Sequence, residues 1–361
     1  MVLSLNTNQK ERCFQRLRES LRPLMAGAET CYLDLGGIRT VRIVACDPDA
    51  MPMIRRQLAW SLTGPVAKPD ATLVLWRESS CADYHYRVLG LDIADDGTGE
   101  DMMLLHRDGL QLTSFGRISY ANSNVYLYDN QTFYYGVGDF SPEVWIREGH
   151  LFVQSLYRVS DTPSSHLVHG ACIGWEGSGV LVCARGQRGK STLAVTAMLN
   201  GFDYVSDDYL ILEQTPSALL ASPIYSIITL SPQMYSTLYD RLDRARFVCN
   251  NARKDKYVFD ISGYEAALRR RYPVRLCLFP EIDLSAPKAR IEPCSPAEKG
   301  RAITHIVHST VQQMQAQGDT GAVRKLIGML TGLPFYRMIL SRDIFGNTAC
   351  LQAFLLARQN D

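Results

Sequence analysis

A short polar loop between two apolar runs carries the residues with the clearest chemistry in this sequence. The loop reads Ala184-Arg185-Gly186-Gln187-Arg188-Gly189-Lys190-Ser191-Thr192, after the run 180–183 and before the run 193–199. The first run predicts a buried strand, and the second predicts a helix that ends near Gly201. A loop between a strand and a helix points backbone N–H groups and the positive helix end at a bound anion. The order of these elements therefore predicts a phosphate-binding loop.

The Gly-Lys-Ser step of this loop gives individual side chains a role. Lys190 is expected to reach the β- and γ-phosphates of a nucleoside triphosphate, and the Ser191 hydroxyl is expected to ligate Mg²⁺. The strict motif has Gly where this chain has Ala184, so only a relaxed form matches. The residues expected to contact the nucleotide are Arg185, Gly186, Gln187, Arg188, Gly189, Lys190, Ser191 and Thr192. We expect the chain to bind a purine nucleoside triphosphate, ATP, together with Mg²⁺.

Two adjacent carboxylates, Asp207 and Asp208, follow at the junction of two further apolar runs. Phosphoryl transfer to a hydroxyl group needs a carboxylate near Mg²⁺ and a base that takes the hydroxyl proton, and an aspartate pair beside a phosphate loop supplies both. An ordinary Asp-rich turn is the alternative. Upstream, His169 precedes Gly170 at the start of an apolar strand, from where it could hydrogen-bond a catalytic aspartate. A purely structural histidine is the commoner case.

The histidine-glycine step, the loop and the aspartate pair together resemble the HPr kinase/phosphorylase superfamily over residues 166–213. The chain looks most like the divergent kinases related to HPr kinase, because it has no counterpart of the signature segment that HPr kinases carry after the aspartates. The resemblance implies a P-loop kinase core of the HPr kinase/phosphoenolpyruvate carboxykinase type. It also implies that Asp207 is the base that activates the acceptor, that Asp208 lies near the metal, and that His169 positions Asp207. Recognition of HPr and the reverse phosphorylase reaction are not expected.

The elements around this core predict an α/β protein of two domains. Residues 1–145 are expected to form an α+β N-terminal domain, and residues 146–361 a P-loop kinase-like domain with a helical C-terminal part. The N-terminal domain is expected to open with an amphipathic helix from Asn8 to Met25, followed by a hairpin with a two-residue connection at Gly36-Gly37. The helix face is expected to contain Phe14, Leu17, Leu21 and Leu24.

Further strands and helices are predicted along the chain. Strands are expected at 72–76 and 84–91, and a hairpin at 125–135 whose aromatic residues pack across strands rather than forming a recognition surface. Helices are expected at 297–308, 311–330 and 351–358, with a break at Gly318-Asp319.

Composition excludes several classes of protein. With Lys and Arg numbering 38 and Asp and Glu 37, the net charge is +1, so neither nucleic acid nor an acidic membrane surface is an expected partner. The ten cysteines lack Cys-x-x-Cys spacing, which favours reduced, buried thiols over zinc sites. No window approaches 18 apolar residues, and the N-terminus lacks a signal sequence, so we expect a cytoplasmic protein.

These observations lead to one main hypothesis and two alternatives. The main hypothesis is an ATP-dependent kinase that phosphorylates a hydroxyl group of a protein, peptide or small-molecule acceptor. The first alternative is a sensor or interaction module that binds ATP or GTP without phosphoryl transfer. The second is a carboxykinase-type enzyme, which would require a basic cluster that the sequence does not reveal. The N-terminal domain is expected to supply acceptor recognition or the contacts of a homo-oligomer.

Overall fold

A computed structural model describes residues 2–78, 102–108, 111–119, 124–141, 150–184, 188–251, 255–313 and 320–359. The internal contacts divide the chain into two compact units. The first unit comprises Met1–Asp34, Arg39–Arg55 and Leu62–Leu151, and the second comprises Leu35–Ile38, Arg56–Ser61 and Phe152–Asp361. Two short segments from the N-terminal part of the chain therefore fold with the C-terminal part.

A mixed β-sheet forms the frame of the first unit. In chain order its strands are β1 (Val2–Leu5), β2 (Glu29–Asp34), β3 (Thr40–Ala45), β4 (Leu62–Thr63), β5 (Ala71–Arg77), β6 (Met102–Asp108), β7 (Gln111–Ser119), β8 (Asn124–Asp129) and β9 (Thr132–Val137). In the sheet these described strands follow the order β1-β6-β7-β8-β9-β5-β3-β2-β4. Helix α1 (Thr7–Met25) covers the sheet, and α2 (Ala50–Gln57) follows β3.

Helix α1 begins where the sequence predicts an amphipathic helix. Asn6 caps it, because its Oδ1 accepts a hydrogen bond from the Gln9 backbone N at 3.0 Å while Gln9 Oε1 accepts one from the Asn6 backbone N at 2.9 Å. Phe14, Leu17 and Leu21 are buried against the sheet, together with Cys13. The helix is thus confirmed, and Leu24, near its end, is 47% exposed.

Both predicted hairpins of this unit form, with one difference. Strands β2 and β3 pair antiparallel, but β2 ends at Asp34 and β3 begins at Thr40, so the connection is longer than the expected two residues. Strands β8 and β9 pair as predicted, and the rings of Tyr126 and Tyr135 lie directly opposite each other with centroids 4.9 Å apart. Aromatic packing across the strands is therefore confirmed. The strand expected at 84–91 lies outside the described residues.

The second unit contains a larger mixed sheet, a smaller sheet and six described helices. Its strands are β10 (Ser165–His169), β11 (Ala171–Trp175), β12 (Ser178–Val182), β13 (Asp203–Ser206), β14 (Tyr209–Gln214), β15 (Leu219–Pro223), β16 (Ile227–Leu230), β17 (Arg246–Asn251), β18 (Lys256–Asp260), β19 (Tyr272–Ile282), β20 (Arg290–Pro293) and β21 (Phe335–Leu340). Its helices are α3 (Val153–Ser160), α4 (Lys190–Leu199), α5 (Pro232–Leu238), α6 (Pro296–Gln313), α7 (Thr320–Thr331) and α8 (Ile344–Gln359).

The larger sheet follows the order β10-β14-β15-β19-β12-β11-β13, with β21 on β19 and β20 on β21. The strands β16-β18-β17 form the smaller sheet. Helices cover both faces of the larger sheet, as the alternating side chains of the run 180–183 show. Val180 and Val182 join the core that packs on α4 and α8, whereas Leu181 and Cys183 join the core that packs on α6 and α7. The chain is therefore a mixed α/β protein, as the sequence predicts.

The C-terminal part is helical as expected, with two differences. Helix α6 runs without interruption through residues 308–311, where the sequence suggested a gap between helices. Strand β21 was not predicted, and it inserts between α7 and α8 as a parallel neighbour of β19. The predicted break at Gly318-Asp319 lies outside the described residues. In the described part of the chain, no helix is both long and apolar enough to cross a membrane.

Candidate functional site

The strand and the helix predicted on either side of the loop are present. Strand β12 ends at Val182, and α4 begins at Lys190. Gly189 caps the helix with a left-handed backbone (φ 87°), and a Cβ atom at this position would lie 2.6 Å from Leu340 Cδ1. Both the backbone angle and the close contact require glycine here. The N-terminus of α4 therefore faces the carboxyl ends of β12, β19 and β21.

The structure describes only part of the predicted nucleotide-binding loop. Arg188 is exposed, Ser191 and Thr192 are half-buried, and Lys190 is buried. The predicted contacts of Arg185, Gly186 and Gln187 lie outside the described residues. The described part thus presents one exposed basic side chain and the free N-terminal turn of a helix, the arrangement that favours anion binding.

Strand topology brings the aspartate pair to this helix. β12 and β13 each pair antiparallel with β11, so they run in the same direction and their carboxyl ends lie at one edge of the sheet. A tight turn joins β11 to β12, with positive φ at Glu176 (46°) and Gly177 (82°), as in the favoured two-residue hairpin turn. Asp207 and Asp208 follow β13 directly, and Asp208 itself has a left-handed backbone (φ 75°). Aspartate tolerates this conformation better than most residues, and such backbones concentrate at functional sites.

Lys190 contacts both aspartates. Its Nζ donates hydrogen bonds to Asp207 Oδ1 at 3.0 Å and to Asp208 Oδ1 at 2.6 Å. The side chains of Lys190, Asp207 and Asp208 are 10%, 1% and 23% exposed. Burial by itself lowers the pKa of Lys190, but the two carboxylates outweigh it and hold this pKa above its usual value. The lysine is therefore a cation in a buried cluster of one positive and two negative charges.

One oxygen of this cluster is not satisfied by the described protein. Asp207 Oδ2 is buried and has no hydrogen-bond partner among the described residues. A buried carboxylate oxygen without a partner is costly, and native proteins retain such groups chiefly where they serve a ligand or a reaction. Asp207 Oδ2 thus has no bond to the described protein that would compete with a cation, a hydroxyl group or water.

His169 lies at the end of β10, beside the second aspartate. Its Nε2 is 3.6 Å from Asp208 Oδ1, and its backbone N donates to Thr310 Oγ1 at 3.1 Å. The neighbouring Gly170 N donates to the Asp208 carbonyl at 2.9 Å. The family resemblance implies that His169 positions Asp207, whereas the structure places the His169 imidazole beside Asp208. The difference follows from this backbone bond, which fixes Asp208 next to the histidine-glycine step.

Aromatic residues that were not predicted as part of the site surround the aspartates. Tyr204 is buried behind them, and burial together with the charges of Asp207 and Asp208 raises its pKa well above the usual value. Its ring contacts Trp60 with centroids 5.7 Å apart. The Tyr209 ring lies 5.4 Å from that of His169. Both tyrosines flank the aspartate pair in sequence, so they were visible, but nothing in the sequence placed Trp60 against Tyr204.

Among the described residues, no group of three or more His, Cys, Asp or Glu side chains is arranged to hold a metal ion. The donors near Lys190 are the Ser191 hydroxyl and the oxygens of Asp207 and Asp208. Mg²⁺ is typically held by one or two carboxylates, with phosphate oxygens and water completing its shell. The donors present are oxygens, the ligands that Mg²⁺ prefers in proteins.

Comparisons with known proteins give little further information. No family model matches the chain, and no curated protein matches its sequence. Among solved structures, the HPr(Ser) kinase/phosphatase from Coxiella burnetii is similar to it at 12% sequence identity and a TM-score of 0.29, over 54% of this chain and 99% of that chain. This is a distant structural likeness, and the function proposed next rests on the geometry of Lys190 and the two aspartates.

Proposed function

We propose that the chain is an ATP-dependent kinase that uses Mg²⁺ and transfers the γ-phosphoryl group to a hydroxyl group of a protein, peptide or small-molecule acceptor. The observation that carries this proposal is the contact of Lys190 Nζ with both Asp207 and Asp208 at the N-terminus of α4. Phosphoryl transfer depends on positioning and charge stabilisation, for which a lysine, a helix N-terminus and a carboxylate pair are the recurring parts.

Binding of the triphosphate is assigned to the loop and the first turn of α4. Lys190 would donate to the β- and γ-phosphates, and the backbone N–H groups of Ser191 and Thr192 would face the phosphate oxygens. Arg188 is exposed beside them, and its guanidinium suits bidentate contact with phosphate. Gly189 allows the backbone to turn into the helix without a side chain in the way. The remaining loop residues, Arg185, Gly186 and Gln187, stay predicted contacts.

Mg²⁺ is assigned to Ser191 and Asp207. Ser191 Oγ and a carboxylate oxygen would be its protein ligands, and Asp207 Oδ2 is a carboxylate oxygen without a described partner. When bound, Mg²⁺ would offset the negative charge of the β- and γ-phosphates.

The two aspartates differ in ways that suggest separate roles. The family resemblance assigns the base to Asp207 and the metal to Asp208. Accessibility favours the reverse assignment, since the Asp208 side chain is 23% exposed and lies beside His169, whereas that of Asp207 is 1% exposed. We therefore propose that Asp208 takes the proton of the acceptor hydroxyl while His169 holds Asp208 in place. The hydroxyl oxygen then bonds to the γ-phosphorus, the bond from that phosphorus to the bridging oxygen breaks, and ADP leaves.

The test is to measure ATP binding and phosphoryl transfer by the purified full chain. With Mg²⁺ present, Lys190→Met should weaken ATP binding at least about tenfold, because the lysine makes charged hydrogen bonds to phosphate. Lys288→Met is the matched control, because Lys288 is an exposed lysine of the same unit, and it should bind ATP as the parent does. Equal ATP binding by Lys190→Met and Lys288→Met would refute the role of Lys190.

Transfer is tested separately by incubating the chain with ATP labelled at the γ-phosphate and cell extracts fractionated into protein and small molecules. Asp208→Asn should abolish labelling of the acceptor while retaining ATP binding, because it removes the proposed base. Tight ATP binding by the parent chain without labelling of any fraction would instead support the nucleotide-sensor alternative.

A further inference from the structure

Lys190 is the cation that balances the buried aspartate pair. Its Nζ lies within hydrogen-bond distance of one oxygen from each carboxylate, and its side chain is 10% exposed, between those of Asp207 (1%) and Asp208 (23%). Two carboxylates this close repel each other unless a positive charge lies between them, and leaving a buried charge without its partner is strongly destabilising. The ion pairs are therefore a structural requirement of the cluster in the absence of ligand.

The same lysine is assigned to the triphosphate when nucleotide binds. An ammonium group that moves towards the β- and γ-phosphates weakens or loses its bonds to Asp207 and Asp208, and the two carboxylates then need another cation. A divalent ion carries twice the charge of the lysine, and hard oxygen ligands suit it. The unpartnered Oδ2 of Asp207, enclosed with the rest of its side chain, gives such an ion a ligand that Lys190 leaves unused.

We propose that Lys190 occupies, in the free protein, the place of a divalent cation that Asp207 would bind beside Asp208. Without nucleotide, lysine and metal ion compete for the same carboxylates, so the free protein binds divalent ions weakly. With nucleotide, the phosphates draw Lys190 away and the competition ends, so metal and nucleotide bind together. This second statement rests on the proposed function, whereas the competition in the free protein does not.

The competition is tested with Mn²⁺ alone, followed by electron paramagnetic resonance in the absence of any nucleotide. Lys190→Met should bind Mn²⁺ at least about tenfold more tightly than the parent chain, because the competing cation is gone. The double variant Lys190→Met/Asp207→Asn should lose this increase in Mn²⁺ affinity. That loss would show that the increase depends on the aspartate pair. Lys288→Met should bind Mn²⁺ as the parent does. Equal or weaker Mn²⁺ binding by Lys190→Met would overturn the proposal.

A second measurement on the parent chain keeps the proposal testable if Lys190→Met does not fold. Lys190 should resist acylation by an amine-reactive ester in the free protein, as read by mass spectrometry, and saturating Mn²⁺ should raise its labelling severalfold. Lys288, which is exposed, should be labelled equally in both conditions. Unchanged labelling of Lys190 in saturating Mn²⁺ would overturn the proposal.

Neither measurement involves ATP. If Mn²⁺ competes with Lys190 but the parent chain binds no ATP, the proposed function fails and the competition stands. If ATP binds and is consumed but Lys190→Met gains no affinity for Mn²⁺, the competition fails and the proposed function stands.

Discussion

Replacing Gly189 by alanine should destabilise the second unit through two separate effects. The left-handed backbone (φ 87°) costs an alanine about 1–2 kcal/mol relative to glycine. The added Cβ would also lie 2.6 Å from Cδ1 of Leu340, which is only 5% exposed and has little room to move. Overpacking of this kind costs about 1–3 kcal/mol. The expected loss in the free energy of unfolding is therefore about 2–5 kcal/mol.

Gly201 offers a control at the other end of the same helix. Its backbone is also left-handed (φ 85°), but no atom lies within 4 Å of the position of its Cβ. Gly201→Ala should therefore show the backbone cost alone, about 1–2 kcal/mol, when both variants are compared by urea unfolding. Leu340→Ala supplies a second control, because it makes room for the Cβ atom and should destabilise the Gly189→Ala variant by less than it destabilises the parent.

The comparison separates the two effects cleanly. If Gly189→Ala loses no more stability than Gly201→Ala, the contact with Leu340 is relieved by a small shift and the steric part of the reasoning is refuted. If Leu340→Ala lowers the free energy of unfolding equally in the parent and in the Gly189→Ala variant, positions 189 and 340 are not coupled. A further expectation concerns binding, since a displaced first turn of α4 would also weaken the attachment of a phosphate.

Two other predictions concern residues outside the loop. Burial by itself raises the pKa of Asp161, but the hydrogen bonds and charges of His166 and Lys325 outweigh it and hold this pKa below its usual value. The stabilisation by Asp161 is therefore complete above the unfolded pKa of about 3.9 and is lost as the pH falls through the lower folded pKa. The Tm of Asp161→Asn should therefore fall less steeply with decreasing pH than the Tm of the parent. Equal slopes would contradict this. Trp60→Ala should cost about 3–5 kcal/mol in urea unfolding, because Trp60 is 4% exposed in the core of the second unit against Tyr204, and a loss below about 1 kcal/mol would contradict that placement.

The local elements of the site were predictable because their signals are local. The run 180–183 is uniformly apolar, which indicates a strand covered on both faces, and both cores do receive its side chains. Gly189 and Gly201 mark the two ends of the predicted helix, and each has a positive φ that favours glycine. The aspartate pair was expected between two strands, and β13 and β14 indeed end and begin beside it.

What the sequence did not predict depends on contacts between distant parts of the chain. The segment 56–61 precedes strands of the first unit, yet it folds with the second. There the Ala59 N donates to Ser226 Oγ at 3.0 Å, and Ser226 Oγ donates to the Arg56 carbonyl at 2.8 Å. Neither composition nor periodicity carries information about a partner so far along the chain. The pairing of His169 with Asp208 was missed for the same reason, because backbone bonds between non-adjacent segments decide it.

Strand pairing and main-chain contacts hold the three segments of the site together, in addition to the ion pairs of Lys190 with the aspartates. The turn at Glu176-Gly177 sets the register of β11 against β12, which brings Gly170 beside Cys183, so that a Cβ on Gly170 would lie 3.2 Å from Cys183 Sγ. Gly170 N in turn bonds the Asp208 carbonyl. The histidine-glycine step, the start of the loop and the aspartate pair are thus fixed by strand pairing, one glycine and a main-chain hydrogen bond. Because this frame uses the main chain, substitution of His169 should leave the strand pairing in place, whereas loss of either aspartate would deprive the buried Lys190 of a charged partner.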